Sequence, residues 1–246
     1  MKVLVTGHKG FIGSHVYDYF KNALDCEVDG IDLPDDIGDF KGPTGIFARH
    51  YDVVIHLAAF AALRDSIENP DKFWENNVEK SKPIFDYCRK NDVRLLYASS
   101  AGAYGWWMNP YAITKKVNEI QAPPNSVGMR FFNVWAEKDS RSDMLYRMLQ
   151  EDTAKYITRH ERDYIHVKDV VRAIAYLMPT TYTGSIDVGT GQKTSILGMA
   201  KAMGRDLPIK EDTPGEPDSL CADTTELRKL GWYPTINIMD HLNGNV

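Results

Sequence analysis

Lys2-Val3-Leu4-Val5-Thr6-Gly7-His8-Lys9-Gly10-Phe11-Ile12-Gly13-Ser14 sets an apolar run, a glycine turn and a helical start back to back. Residues 2–6 lack polar alternation, the pattern of a strand buried on both faces. From Phe11 to Phe20 the apolar and aromatic residues recur at helical spacing. Gly7, Gly10 and Gly13 therefore form G-x-x-G-x-x-G between a strand and a helix. Missing side chains let the backbone turn tightly and approach a pyrophosphate, and the helix N-terminus adds N–H donors and a favourable dipole. An ordinary glycine turn would look similar, but Asp32 adds a second signal. It ends a second strand over residues 26–32, 19 positions after Gly13, where a carboxylate accepts hydrogen bonds from an adenosine ribose. Its charge repels a 2′-phosphate, so NAD is expected over NADP. Lys9 in the glycine loop points the other way.

Outward from this stretch, strands and helices alternate. Residues 51–57 (YDVVIHL), 93–99 (VRLLYAS) and 126–132 (SVGMRFF) read as buried strands. Helices are expected over about 71–91, behind Asn69-Pro70, and about 111–120, behind Pro110. The alternation predicts an α/β fold, a Rossmann-type doubly wound parallel sheet over residues 1–134. Residues 135–246 read as a smaller mixed substrate-binding lobe that returns some segments to the core. Helices are expected there over 139–153, 166–178, 195–203 and 224–230, with short strands at 163–167 and 184–191.

Composition narrows the function classes. The 246 residues are 43% hydrophobic, enough for a sizeable core, and the net charge is −5. No basic block supports nucleic-acid binding. Cys26, Cys88 and Cys221 are distant and odd in number, which predicts free thiols in a reducing, cytoplasmic setting. They lack metal-ligand spacing, so no metal site is expected. No signal peptide is read at the N-terminus, and no apolar run reaches membrane-spanning length.

Tyr111-Ala112-Ile113-Thr114-Lys115 is Y-x-x-x-K. Residues four apart share a helix face, and an ammonium beside a phenol lowers its pKa, making it a usable proton acceptor. Alone, the pattern equally fits an amphipathic helix with an exposed lysine. Upstream, Ser99-Ser100-Ala101-Gly102-Ala103-Tyr104-Gly105 follows a strand end, where a hydroxyl would sit beside the reacting oxygen. Alone, it equally fits a Ser/Gly turn.

In order along the chain, Thr6 to Ser14, His56 to Ala59, Ser66 to Val78 (SIENPDKFWENNV), Ser99 to Gly105, the Tyr111/Lys115 pair, Arg130 to Val134 (RFFNV), Arg162 to Asp169 (RDYIHVKD), Asp187 to Gly191 (DVGTG) and Leu230 to Pro234 (LGWYP) resemble the nucleotide-sugar epimerases of the extended short-chain dehydrogenase/reductase family. The resemblance spans nearly the whole chain. It implies that Tyr111 is the general base and acid, Lys115 its pKa tuner and a ribose ligand, and Ser100 the hydroxyl partner. It implies an NAD site lined by Gly7, Gly10, Phe11, Ile12, Gly13, Asp32, Asp39, Phe40, Leu57, Ala58, Ala59, Asn77 and Ser99, together with Tyr111 and Lys115. Asn133 and Arg162 resemble contacts to the substrate's diphosphate. Arg162 alone also fits a surface ion pair with Asp163 or another acid. Arg64, in the stretch from Ala62 to Pro70, resembles the V-R-Y-S-x-E-N-P stretch of uronate 4-epimerases. Glu216 remains of a P-G-[DE] segment whose preceding Arg is replaced by Thr213. The resemblance also implies a homodimer, in which the helices after Pro70 and from Tyr111 pair across a two-fold axis. Phe73, Trp74, Ile84, Phe85 and Tyr87 would supply apolar surface.

Ala101 and Gly102 stand where dehydrating relatives carry Asp-Glu, decarboxylating ones a Glu at the second place, and epimerase-reductases a Cys. No extra acid or base is present, so the resemblance implies a 4-epimerase working by oxidation at C4 and return of hydride to the opposite face. The chain is a short member. Only ten residues separate Ser100 from Tyr111, and the stretches from Asp32 to Tyr51 and from Asn133 to Arg162 are also trimmed. Two other readings stand beside the epimerase: an NADPH-dependent keto-sugar reductase, favoured by His8, Lys9 and compact size, and a non-catalytic NAD-binding protein.

Overall fold

The computed structural model describes residues 1–23, 26–32, 45–211 and 215–244. Its central sheet has six strands: β1 (Lys2–Thr6), β2 (Glu27–Ile31), β3 (Val53–His56), β4 (Arg94–Ser100), β5 (Ser126–Phe131) and β9 (Gly184–Val188). They lie in the order β2-β1-β3-β4-β5-β9. β1 pairs in parallel with both β2 and β3, and β3 with β4. This is the expected Rossmann-type sheet. The chain leaves β1 for one side and returns on the other, so the strand order reverses between β1 and β3. Ligands of such sheets bind beyond the carboxyl ends of the strands at that reversal.

Helices α1 (Phe11–Ala23), α2 (Leu63–Glu68), α3 (Pro70–Trp74), α4 (Lys82–Asn91) and α5 (Pro110–Gln121) connect these strands. The single helix expected over 71–91 is interrupted. Residues Glu75–Glu79 form one π turn, closed by the Lys80 N–H on the Glu75 carbonyl at 3.0 Å. A fresh helix then starts with Pro83 in its first turn. Proline lacks the N–H that a continuous helix needs, so the break falls there. The core beside this segment includes Leu4, Val54, Ile84, Phe85 and Leu95, all within 1% of complete burial.

Two compact units emerge: Met1–Arg130 with Ile174–Ile186, and Phe131–Ala173 with Asp187–Val246. In the second, β6 (Asn133–Trp135) pairs in parallel with β8 (Tyr164–His166). A small sheet has the order β10 (Thr194–Ser195), β7 (Glu161–Arg162), β11 (Ser219–Leu220). Helices α6 (Leu145–Gln150), α7 (Val167–Leu177), α8 (Ile196–Ala202), α9 (Thr225–Lys229) and α10 (Ile238–Leu242) complete the list among the described residues. The helix expected over 139–153 shrinks to α6. Asp139 takes φ +64°, and the Ser140 hydroxyl both accepts from the Ala136 N–H and donates to its carbonyl at 2.8 Å, making a turn instead.

Candidate active site

Gly7 leaves β1 with φ +75°, and a Cβ there would lie 2.6 Å from the Ala58 nitrogen. A Cβ on Gly13 would lie 1.9 Å from the Gly7 carbonyl oxygen, so α1 starts directly against the turn. Gly10, by contrast, would meet only the Gly7 oxygen at 3.2 Å. Its bare backbone is exposed beside the N-terminus of α1, where Phe11 and Ile12 are half-buried. Asp32 follows β2, and its Oδ2 accepts the Lys9 N–H at 2.7 Å. The acid read from spacing is thus bonded to the glycine loop itself. Leu57, Ala58 and Ala59 follow β3, on the other side of the strand reversal. A cradle that a Cβ on Gly7 or Gly13 would fill, donors at a helix N-terminus and a carboxylate on the loop fit a dinucleotide. Asp39 and Phe40 lie outside the described residues.

A buried polar chain braces this cradle. The Ala58 N–H donates to Thr6 Oγ1 at 3.3 Å, Thr6 Oγ1 meets His56 Nδ1 at 2.7 Å, and His56 Nε2 meets Ser81 Oγ at 2.9 Å. Ser81 spends its hydroxyl proton on the Asn77 carbonyl at 2.7 Å. The imidazole must therefore donate from Nε2 and accept at Nδ1. Burial, and then the charge on Lys115, push the His56 pKa down to about 3, so the ring is neutral. The Asn77 side chain clamps Phe60, accepting from its N–H at 2.8 Å and donating to its carbonyl at 2.9 Å. It also donates to Thr114 Oγ1 on α5 at 3.2 Å. The π turn carries this residue.

Tyr111 lies in the first turn of α5, with Pro110 at the start of the helix and Asn109 capping the Ala112 N–H at 2.8 Å. Its own N–H donates to Ser66 Oγ at 3.1 Å, tying α2 to the start of α5. Arg64 is exposed on that same short helix. One turn on from Tyr111, Lys115 is only 2% exposed. Its ammonium donates to the Ala98 carbonyl at 2.9 Å and lies 5.8 Å from the Tyr111 ring centroid. Burial pulls its pKa down to about 8. Ser100 ends β4, and its Oγ accepts the Gly102 N–H at 3.1 Å, capping the 3-10 segment Ala101–Met108.

Sequence reasoning missed Glu119, although it continues the Tyr111/Lys115 face by one more turn. Its carboxylate receives Arg130 Nε at 2.7 Å and Nη2 at 2.8 Å, and the Ser99 hydroxyl at 2.7 Å. Burial raises its pKa, but the Arg130 and Ser99 bonds outweigh that and hold it below the ordinary value. Arg130 also stacks 4.5 Å from the Tyr104 ring centroid. The Ser99 side chain is thus committed to a pair that anchors the 3-10 segment.

The second unit holds the other expected residues. Arg162 is 7% exposed, and its Nη2 lies 3.6 Å from Glu216 Oε2. Asn133 donates its N–H to the Asp163 carbonyl at 3.0 Å, opposite Tyr164 in register. Asp163 is a partner of the DVGTG turn. Its carboxylate accepts the Thr190 N–H at 2.8 Å, the Thr190 hydroxyl at 2.6 Å, the Gly191 N–H at 2.8 Å and the Ala222 N–H at 3.2 Å. Two further groups were not read from the sequence: this caging role of Asp163, and His160, whose Nδ1 meets Arg162 Nη2 at 2.8 Å.

Residues 3–189 match the model of the NAD dependent epimerase/dehydratase family. The chain is 28% identical to UDP-glucose 4-epimerase 3 of Oryza sativa subsp. japonica, over 97% of this chain and 87% of that one. That alignment runs over 323 positions, so against 246 residues at least 77 positions face a gap here. The UDP-glucose 4-epimerase of Thermotoga maritima, solved with UDP-glucose, superposes with a TM-score of 0.84 at 24% identity, over 98% of this chain and 96% of that one. The UDP-glucuronic acid 4-epimerase of Bacillus cereus, in complex with UDP-glucuronic acid and NAD, gives 0.85 at 23%, over 99% and 97%.

Proposed function

This chain belongs to the NAD dependent epimerase/dehydratase family, and we propose on that premise that it is a 4-epimerase of a UDP-sugar. The observation that carries the proposal is the half-buried Tyr111 beside the buried ammonium of Lys115, followed upstream by Ala101 and Gly102 where an added acid or base would act. Bound NAD supplies a hydride acceptor that can return the hydride. The glycine turn, Asp32 and the 57–59 backbone would hold it. Tyr111 takes the proton of the sugar hydroxyl and later gives it back. Lys115, held by the Ala98 carbonyl, stabilises negative charge on the phenol oxygen. Ser100 orients the reacting oxygen by a hydrogen bond. Nothing on Ala101 or Gly102 can move a second proton, so the chemistry stays at one carbon.

Arg162 and Asn133 are assigned to the diphosphate, and Glu216 and Arg64 to the substrate. All three cysteines are free, in keeping with a cytoplasmic enzyme. Among the described residues no helix is long and apolar enough to cross a membrane, and no group of His, Cys, Asp and Glu is placed to hold a metal. The test is to incubate the protein with NAD and, in turn, UDP-glucose, UDP-glucuronic acid and UDP-N-acetylglucosamine, and to follow the sugar by NMR. The C4 epimer is expected without net NADH. Net reduction of a keto sugar by NADPH, or turnover of no sugar, would overturn the proposal.

A further inference from the structure

We propose that His160 is the positioning residue that holds Arg162 ready for the nucleotide's diphosphate, and that it does so only as the neutral imidazole. The inference rests on the assignment of Arg162 made above. A guanidinium has donors and no acceptor. In the 2.8 Å contact between Arg162 Nη2 and His160 Nδ1 the ring nitrogen therefore accepts. Nδ1 carries no proton, and the ring's N–H is Nε2, which faces Asp218 Oδ1 at 3.6 Å. Arg162 Nη1 donates to the carbonyls of Glu161 at 3.0 Å and Asp218 at 3.2 Å. These three acceptors are neutral. They fix the plane of the guanidinium, the Glu216 carboxylate 3.6 Å from Nη2 offsets its charge in part, and the buried cation still gains from an incoming anion. These bonds use three of the five guanidinium N–H groups, and the two that remain, held in a fixed plane, suit a diphosphate oxygen pair.

His160 cannot easily follow if Arg162 moves. Its N–H donates to Thr158 Oγ1 at 3.4 Å, its carbonyl accepts the Ile196 N–H at 3.1 Å, and its side chain is 7% exposed. Protonating Nδ1 would remove the acceptor and set a second cation against the first. The charged and titratable groups around the ring come from every neighbouring element. Arg162 and Glu161 lie on β7, and Tyr164 on β8. Glu216, 4.0 Å from Nδ1, and Asp218 precede β11, and Lys193, paired with Glu161 at 3.7 Å, precedes β10. Burial and Arg162 lower the His160 pKa, Glu216 and Asp218 raise it, and the balance lies below the ordinary value. The acceptor is present at neutrality and is lost on acidification.

UDP-glucose is the probe, because its two phosphates stay ionised throughout the range and any titration then belongs to the protein. Calorimetric titration of the NAD-loaded protein at about pH 8 and about pH 5.5 should show affinity falling in acid. His160→Leu should weaken binding by about ten- to a hundredfold at the higher pH, the loss expected for one hydrogen bond to a charged group. His160→Asn places a non-titrating acceptor where Nδ1 stood. It should bind within a few-fold of the parent at the higher pH and lose the acid dependence. Parent-like affinity in His160→Leu, or an undiminished acid loss in His160→Asn, would overturn the proposal. Arg162→Gln separates the two claims. If it binds UDP-glucose as the parent does, the diphosphate assignment falls and takes the role of His160 with it. If it weakens binding while His160→Leu does not, only the role of His160 falls.

Discussion

Lys115 lies one turn on from Tyr111 on α5, its ammonium 5.8 Å from the phenol ring centroid. An ammonium that is 2% exposed and bonded to a single carbonyl is held at the edge of its charge, with a pKa of about 8. Below that value it is charged and can support Tyr111; above it the support fades. Turnover should therefore decline on the alkaline side with a midpoint near pH 8. A rate that stays flat to about pH 10, close to the ordinary lysine value, would remove Lys115 as the tuner. Asp32 carries a second prediction. Asp32→Ala should weaken NAD by about tenfold or more, the loss of hydrogen bonds to a charged group, and narrow the gap to NADP. Titrating both cofactors checks it; unchanged NAD affinity would take Asp32 out of the site. Both residues were legible because each stands in a fixed register with a motif. His160 was not. Nothing in Thr158-Arg159-His160-Glu161-Arg162 distinguishes the imidazole until β7 brings it to the guanidinium.

At the scale of elements, β1, β3 and α5 were readable from unbroken apolar runs and from Pro110. The π turn was not: Pro83 marks where a new helix must start, but the turn itself carries Asn77 to Phe60 and Thr114, contacts that only the folded chain makes. Residues 139–144 misread as helix for a related reason. Their polar side chains satisfy the backbone locally, which periodicity does not register. The Thr6–His56–Ser81 chain joins three elements and has a consequence for stability. The folded pKa of His56 is about 3, while the unfolded ring titrates near 6.5. Between these values the unfolded chain takes a proton that the native ring refuses. Stability is therefore full above about pH 6.5 and is lost as pH falls, by about 1.4 kcal/mol per pH unit from this ring. His160 and His166 are also held low and add to the slope. Urea midpoints between about pH 7 and pH 5 should fall in the parent, and His56→Asn should lose about one proton's worth of that slope. An unchanged slope would show that His56 is not buried neutral.

For the whole molecule, the resemblance implied pairing through the helices after Pro70 and from Tyr111. Phe73, Ile84 and Phe85 turn out to be buried in the chain's own core, and Tyr87 packs partly against it, so they offer little to a partner. The exposed apolar side chains there are Trp74 on α3, one of those expected, and Ile120 on α5, with Ile67 on the preceding α2, at 43%, 75% and 50%. The expected assembly is still a homodimer, now through those three. Light scattering at micromolar concentration should give twice the mass of the chain, and Ile120→Arg with Trp74→Arg should shift it towards the monomer. A monomeric parent would contradict this.

On the proposed function, Tyr111 exchanges the sugar's proton in an NAD-dependent epimerisation. The most direct measurement is the rate of C4 epimer formation by Tyr111→Phe, from whichever UDP-sugar the intact protein turns over, beside its affinity for NAD. Phe keeps the ring and its packing against Phe73, whose centroid lies 6.4 Å away, and removes only the phenol oxygen. Ser100→Ala, which loses a hydrogen bond and no proton acceptor, should be milder. Loss of a general base costs about 10²–10⁴-fold in rate, so Tyr111→Phe should bind NAD as the parent does and turn over slower by that factor. Epimer formation at the parent's rate would make Tyr111 part of the scaffold and rule out proton exchange by its phenol.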